Sequence, residues 1–319
     1  MSEVKIGLIV NTAAEFKYQN FLILSNAFLK LNCKPVLILA DSLSLLENKV
    51  FALCHEITVP LDVGSSISEE HFERDDINDF DYIWVLAFGR RQNFLDIIKF
   101  LWILEQYGRG EFINNVDSLM YFNNKYILNF LPEFIKTPKS YASNDAEYLY
   151  EIVCADNHKA WILKPPAESM GRNVFILKHG DTNIKALIQM LTGNNAKSYC
   201  ILQEYVSDIS EKGEKRVLIA KGEIICSYTR TPQEDDHRTN LHQGSEPVIS
   251  ELTEEEEKYC LRIAGHFKES GINYIGLDMV YPYILEVNVV NPGGLNTMQD
   301  ISGIDYSIKV VEKLIENKI

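Results

Sequence analysis

Gly271-Ile272-Asn273-Tyr274-Ile275-Gly276-Leu277-Asp278, then Met279 to Leu285, then Glu286-Val287-Asn288, is the stretch around which the chain is arranged. It reads as two antiparallel strands joined by a tight turn at Tyr281-Pro282-Tyr283. Strand side chains alternate faces, so Glu286 and Asn288, two apart, point the same way. Asp278 lies across the hairpin. Three oxygen-bearing side chains then converge on a surface otherwise made of Ile, Leu, Met and Val. Buried carboxylates are costly unless paired or metal-bound. Hard oxygen donors of this kind suit Mg2+, which takes one or two carboxylates together with nucleotide phosphates. The plainer alternative is a hairpin whose acids are solvated at its ends. A pattern as short as Asp-x7-Glu-x-Asn does not choose between the two.

Composition narrows the field. The 319 residues allow about two or three domains. A content of 46% hydrophobic and 24% charged residues is that of an ordinary globular protein. No run of about 18 apolar residues occurs, so no membrane partner is expected. Met1-Ser2-Glu3-Val4-Lys5 lacks the basic-then-apolar pattern of a secretory signal. The six cysteines, Cys33, Cys54, Cys154, Cys200, Cys226 and Cys260, are scattered with no Cys-x-x-Cys pair. They read as reduced thiols of a cytoplasmic protein. A net charge of −14 argues against nucleic-acid partners, which call for basic surface. It leaves room for a nucleotide, which needs only a few local cations. The acidic run Glu254 to Glu257 reads as a helix start, with Thr253 as cap and Glu256 completing a capping box.

Along the chain, residues 4–10 read as a buried parallel strand, 20–31 as a helix, and 35–39 and 82–86 as further strands. Residues 94–107 read as a helix ending near Gly108 and Gly110. This alternation predicts an open α/β domain with a mostly parallel sheet. Ligands of such sheets bind at the carboxyl ends of strands. Phe88-Gly89-Arg90-Arg91 falls at one, so Arg90 and Arg91 are candidates for an anion or carboxylate site, against a solvated loop. Residues 112–115 should form a short strand, and 118–130 a helix carrying Asn123-Asn124-Lys125. A strand ending in Lys164-Pro165 holds an ammonium at a fixed place, as phosphate oxygens require. The loop Ala167-Glu168-Ser169-Met170-Gly171-Arg172-Asn173 follows and could cover phosphates with backbone N–H groups. Residues 199–206 read as a strand, 216–220 and 224–229 as a hairpin, and 305–315 as the last helix. In Asn291-Pro292-Gly293-Gly294 the glycines let backbone approach a ligand closely; the bland reading is a turn before that helix.

The hairpin resembles the metal-binding end of an ATP-grasp ligase, the closest pattern being the bacterial glutathione synthetase type. Gly276-Leu277-Asp278 and Glu286-Val287-Asn288-Val289 stand where that family has G-L-D and E-[IV]-N-V. The likeness runs with gaps over most of residues 112–319. Asn123-Asn124-Lys125 matches N-x-K, and Thr137-Pro138-Lys139-Ser140 matches T-P-x-[ST]. Gly213-Glu214-Lys215-Arg216-Val217, continued to Gly222-Glu223, matches G-[DE]-x-R-V-x-V-x-x-G-[ED]. Arg238-Thr239-Asn240 up to Gly244 matches R-x-N-x-x-x-G.

The resemblance implies an α/β (α+β) chain with an ATP-grasp fold behind an N-terminal open α/β pre-grasp domain. The expected division is 1–118 for that domain, 119–202 for the central lobe and 203–319 for the C-terminal lobe with the metal site. It implies ATP and Mg2+ as cofactors, with Mn2+ as a substitute. Lys125 and Lys164 would hold phosphates under the Ser169, Met170 and Gly171 loop. Gln203, Glu204, Tyr205 and Val206 would line the adenine pocket, Glu214 would bind ribose, and Asn240 would sit near the phosphates and metal. Asp278, Glu286 and Asn288 would be the metal ligands. Arg230 and Arg216 are the catalytic candidates, Arg230 facing the reacting carboxylate. Arg238, Asn291, Gly293 and Gly294, with Arg90 and Arg91, would meet substrate. His242 reads as a structural polar contact.

Two segments depart from the glutathione synthetase pattern. Phe88 to Arg91 replaces the family's peptide-contacting segment, and the 167–173 loop keeps only Gly171 of several glycines. Its Ser-x-Gly-Arg order resembles ligases that add amino acids to proteins or carrier peptides. The implied chemistry is ATP-driven amide-bond formation through an acylphosphate, on small-molecule amino acid or peptide substrates, glutathione synthetase-like. A different amino-acid or peptide ligase of the same fold, protein- or carrier-modifying, stays open. So does a non-catalytic nucleotide-binding regulatory protein, and so does a homo-oligomer.

Overall fold

The computed structural model describes residues 3–11, 20–62, 64, 66–156, 159–166, 171–193, 196–232 and 245–316. Ile6, Leu8, Ile9 and Val10 of β1 (Lys5–Val10) are wholly buried, as in a strand covered on both faces. Helix α1 (Asn20–Lys30) returns the chain to β2 (Lys34–Leu39), parallel to β1. Strands β3 (Ser44–Leu46), β4 (Lys49–Glu56) and β5 (Glu73–Asp76) then extend the sheet antiparallel. Strand β6 (Tyr82–Val85) adds to the other side of β1, and α2 (Phe94–Tyr107) leads to β7 (Glu111–Ile113), both strands parallel. The order is β3-β4-β2-β1-β6-β7, with β5 on β4. The sheet is therefore parallel only from β2 to β7. Between β2 and β6 the chain adds antiparallel strands, β3 and β4 following β2 through connections too short for a parallel crossover.

The single helix expected over 118–130 is broken. Helix α3 (Val116–Phe122) ends, and Asn124 is extended at φ −152°, ψ 150°. Its side-chain oxygen accepts from the Ile127 N–H and starts a 3-10 turn over Lys125–Phe130. Asparagine side chains bond neighbouring backbone in this way and so compete with helix. Lys125 thus opens a new turn instead of lying on a helix flank.

A second, antiparallel sheet follows: β8 (Ser140–Ser143), α4 (Ala146–Ala155), β9 (Trp161–Lys164), β10 (Phe175–Leu177), α5 (Ile184–Thr192) and β11 (Cys200–Glu204), in the order β10-β9-β11-β8. Trp161, Leu163, Cys200 and Leu202 pack with Leu149 and Val153 of α4 and Ile184 and Ile188 of α5. The alternating residues, Lys164 and Gln203 among them, take the opposite face.

The third sheet and its helices complete the chain: α6 (Ile209–Lys212), β12 (Glu214–Ala220), β13 (Glu223–Thr231), β14 (Glu246–Ile249), α7 (Glu254–Glu269), β15 (Tyr274–Val280), β16 (Tyr283–Asn288), α8 (Leu295–Ser302) and α9 (Ser307–Ile315). Its strand order is β14-β13-β12-β15-β16. The expected capping box opens α7: Thr253 and Glu256 bond each other's backbone N–H. Helix α8 was not foreseen. Gly293-Gly294 leads into it, with Gly294 at φ +132°, a backbone position that suits glycine.

The second sheet has its own core, whereas the first and third share theirs. Trp84 of β6 meets Tyr274 of β15 edge-on, ring centroids 5.4 Å apart. Asn114, 2% exposed, fastens the two sheets. Its Nδ2 donates to the Tyr274 and Val289 carbonyls, both at 2.8 Å, and its Oδ1 accepts from the Asn273 and Tyr274 N–H groups at 2.7 and 2.8 Å. Leu119 and Leu128, inside the segment assigned by sequence to the central lobe, pack in this shared core. The six cysteines are unpaired. Among the described residues no helix is long and apolar enough to cross a membrane.

Candidate active site

Strand register builds the site. Asp278 stands opposite Glu286, and Gly276 opposite Asn288, across β15 and β16. Asp278 also stands opposite Arg216 of β12, and Glu214 opposite Arg230 of β13. Directly opposed residues share a face, so six polar side chains gather on one side of the sheet. Gly276 makes the room: a Cβ there would lie 2.7 Å from Pro292 Cβ and 3.4 Å from Arg216 Nη1.

The pairings differ from a simple metal cluster. Arg216 donates from Nε and Nη2 to the two Asp278 oxygens at 2.5 and 2.9 Å, and from Nη1 to the Gly293 carbonyl at 3.1 Å. Arg230 Nη2 reaches Asp278 at 2.9 Å and Glu214 at 2.7 Å. Asn288 Nδ2 lies 3.3 Å from Asp278. Asp278, 3% exposed, therefore accepts four hydrogen bonds. Burial works against the Arg216 and Arg230 charges, yet the facing carboxylates hold both guanidiniums above their ordinary pKa. Arg216 is committed on every side. Arg230 differs: its Nε is buried without a hydrogen-bond partner among the described residues.

Across the cleft, Lys125 Nζ pairs with Glu286 Oε1. Burial would raise the Glu286 pKa, but Lys125 and Lys164 outweigh it and hold the carboxyl at about 2. Lys164, 9% exposed, is pushed down to about 8, chiefly by burial and against the pull of Glu286. Four cationic side chains, Lys125, Lys164, Arg216 and Arg230, thus face three carboxylates, Glu214, Asp278 and Glu286. The excess positive charge in a recess between two sheets suits a polyanion.

The donor set fits Mg2+ in part. Glu286 pairs with Lys125 through Oε1 and Asn288 turns its Nδ2 to Asp278, so each has a further side-chain oxygen, Glu286 Oε2 and Asn288 Oδ1, of the hard kind the ion takes. Asp278 completes the acidic group but is already saturated by its arginines. Among the described residues no three His, Cys, Asp or Glu side chains cluster as a metal site. Two protein oxygens fit an ion that phosphates help to hold.

Residues 124–303 match the family described as prokaryotic glutathione synthetase, ATP-grasp domain. The chain belongs to this family. A glutathione synthetase of Mesorhizobium japonicum is 30% identical over 269 residues, 84% of this chain and 83% of that one. Another, from Prochlorococcus marinus subsp. pastoris, is 34% identical over 160 residues, and there the match spans 50% of this chain and about half, 51%, of the relative. The ATP-grasp ligase PsnB, solved with a minimal precursor, superposes with a TM-score of 0.66 at 15% identity over 99% of this chain and 100% of that one. The same ligase has been solved with minimal precursor, Mg and ADP, TM-score 0.60. These likenesses identify the fold as an ATP-grasp fold with an N-terminal domain, as the sequence led us to expect.

The remaining ATP-grasp candidates fall in several places. Gln203 is buried against Lys164; Glu204 pairs with Lys159 at 2.9 Å. Tyr205 N–H bonds the Ala160 carbonyl, and the Val206 carbonyl accepts from Ile209; β11 ends at Glu204, so the strand expected over 199–206 stops short of both, and they lie in the segment that leaves the second sheet. Gly171 has φ +70°. Ser169, Met170, Arg238, Asn240 and His242 lie outside the described residues. Glu214, assigned to ribose, accepts from Arg230 Nη2 through Oε2 at 2.7 Å. Arg90 is not brought to the cluster: its Nε bonds Asp41 at 3.2 Å and its side chain is 66% exposed. The Arg91 charge acts on the Tyr126 hydroxyl, beside Lys125. Asn291 bonds Asn20 of α1 at 3.2 Å, and Asn20 also holds the Pro292 carbonyl. Sequence reasoning missed Asn20, Asp41 and Tyr228. Tyr228 stands opposite Arg216 and walls Gly294, whose Cβ would lie 3.0 Å from its hydroxyl. No local motif marks any of the three.

Proposed function

We propose that this chain is an ATP-dependent carboxylate–amine ligase that joins amino acid or peptide substrates. The observation that carries the reading is the cationic recess formed by Lys125, Lys164 and Arg230 around Glu286. Lys125 and Lys164 hold the ATP phosphates, and the Gln203 to Val206 segment, the end of β11 and the two residues after it, carries the adenine contacts. Glu286 and Asn288, with Asp278 behind them, hold Mg2+, for which Mn2+ can substitute. When bound, the ion neutralises charge on the phosphate oxygens. The substrate carboxylate attacks the terminal phosphorus and ADP leaves. The amine nitrogen then attacks the acyl carbon, phosphate leaves, and the surplus amine proton passes to solvent. Arg230, whose buried Nε has no partner among the described residues, stabilises the negative charge that develops between these steps. No nucleophilic side chain is required.

Glutathione formation is one outcome of this chemistry, and the named relatives favour testing it first. PsnB, solved with a precursor peptide, supports the wider class of peptide-modifying ligases. The altered Phe88 to Arg91 segment, with Arg90 turned onto Asp41, supports a changed substrate. A screen of ADP release with Mg2+ across amino acids, γ-glutamylcysteine with glycine, and short peptides separates the readings. Substrate-dependent ADP with an amide product by mass spectrometry is expected. ATP binding without ADP release on any substrate would instead support a regulatory nucleotide-binding protein.

ATP with Mg2+ is expected to raise the melting temperature, because it binds the folded chain alone. At 100 times its Kd the added stability is about 2.7 kcal/mol. No shift with ATP or ADP would remove the nucleotide site.

Affinity for ATP should depend on pH in a definite sense. Lys164 loses its proton near pH 8 in the free protein, and phosphate oxygens favour the ammonium. Binding above pH 8 must therefore take up a proton, so the ATP Kd is flat below that pH and rises by up to about tenfold per unit above it. For the free fold the sign reverses: the cost of the depressed Lys164 is complete below pH 8 and fades as pH approaches its ordinary 10.5. Calorimetric titration from pH 6.5 to 9.5 reads the first effect. A Kd independent of pH would dissociate Lys164 from phosphate binding.

A further inference from the structure

The cleft face of the second sheet carries a row of three polar side chains. Ser140 of β8 stands opposite Gln203 of β11, and Gln203 stands opposite Ile162 of β9, two residues before Lys164. Since alternate strand residues share a face, all three side chains lie on the side away from the Trp161, Leu163 and Leu202 core. Lys164 Nζ donates to Gln203 Oε1 at 2.9 Å, Gln203 Nε2 donates to Ser140 Oγ at 3.1 Å, and Ser140 Oγ donates to the Pro138 carbonyl at 3.0 Å.

The row has a direction. A serine hydroxyl has one hydrogen, and here it goes to the Pro138 carbonyl. Toward Gln203 the oxygen can then only accept. The Gln203 amide must present its NH2 to Ser140 and its oxygen to Lys164. The flipped amide would set NH2 against the ammonium, and with Gln203 5% exposed little water is at hand to relieve that clash. A neutral amide also holds an ammonium without cancelling its charge, which a carboxylate at the same place would do. An ammonium has three N–H donors; with one given to Gln203, two are left for phosphate oxygens.

We propose that Ser140 and Gln203 are positioning residues for the phosphate-binding Lys164, Ser140 acting only by orienting the Gln203 amide. This rests on the ATP-ligase reading above. Neither residue is assigned to the reacting atoms, and Ser140 enters the sequence reading only as the last position of the T-P-x-[ST] match, with no role of its own.

The test is ATP affinity with Mg2+, by calorimetry on the full chain, with ADP release alongside. Wild-type ATP binding is measured first; its absence would count against the ligase reading itself. Given that binding, Ser140→Ala should weaken ATP about fivefold, the scale of one net hydrogen bond. Ser140→Thr, which keeps the hydroxyl, should restore it. Gln203→Glu gives a second reading that does not depend on Ser140→Ala folding. It should weaken ATP about tenfold or more at pH 7 by neutralising Lys164, and move the alkaline loss of affinity above pH 9. The other charges facing Lys164, namely Glu286 of β16, Lys125 of the 3-10 turn, Glu214 of β12 and Asp278 of β15, are the same in every variant. Equal ATP affinity in Ser140→Ala, Ser140→Thr and wild type, with an unmoved pH profile in Gln203→Glu, would overturn the proposal.

Discussion

Glu286→Gln is expected to cut Mg2+-dependent turnover by about a hundredfold or more while the fold survives. The carboxylate lies at the rim of the cleft, about a third exposed, with Lys125 as its hydrogen-bonded partner. The amide keeps the shape and the contact to Lys125, so little stability is at stake. What it loses is the negative charge beside Asn288, on which the proposed metal site depends. Asp278→Asn should behave differently, although sequence put the two acids in one role. Asp278 is buried against two guanidiniums. Removing one member of such a buried group leaves the others uncompensated, at roughly 3–5 kcal/mol. Urea midpoints and turnover measured on both variants separate the roles. Near-wild-type turnover of Glu286→Gln at limiting Mg2+ would sink the metal assignment. A midpoint of Asp278→Asn equal to wild type would mean that the arginine pairing contributes nothing to the fold.

Asn114→Ala should be the most destabilising substitution away from the cleft. The truncation orphans two backbone N–H groups and two carbonyls in a buried position, since the four bonds of this one side chain join the end of β7 to the start of β15 and to Val289, the residue after β16. An unsatisfied buried group costs about 1–3 kcal/mol. The four are neighbours and do not add simply, so a loss of at least about 3 kcal/mol is expected. Asn114→Asp fares no better, because its second oxygen would face the Tyr274 and Val289 carbonyls. Chemical denaturation reads the effect directly. A change under about 1 kcal/mol would show that the first and third sheets are held by their shared apolar core alone.

Much of this molecule was legible in the chain before its tertiary structure. The α2 helix, the Lys164 strand, the capping box of α7 and the hairpin of β15 and β16 all follow from periodicity and local chemistry, which act over a few residues. Two of the failures were also local in origin. Asn124 breaks the expected helix by bonding its own neighbours, and Gly293-Gly294 starts α8 where a turn was expected. Periodicity does not report either event.

The sequence by itself determined which chemical groups are present and in what order along the strands: the two lysines, the two arginines, and Asp278, Glu286 and Asn288 within one hairpin. That much is set by alternation along an extended chain. Only the tertiary structure decided which charge meets which. Arg216 and Asp278, 62 residues apart, become partners because β12 and β15 are adjacent in the sheet. That pairing turns Asp278 toward the arginines while Glu286 faces Lys125 and the open cleft. Partner choice is a matter of strand register and burial between distant segments, and neither is written in the spacing of residues along one of them.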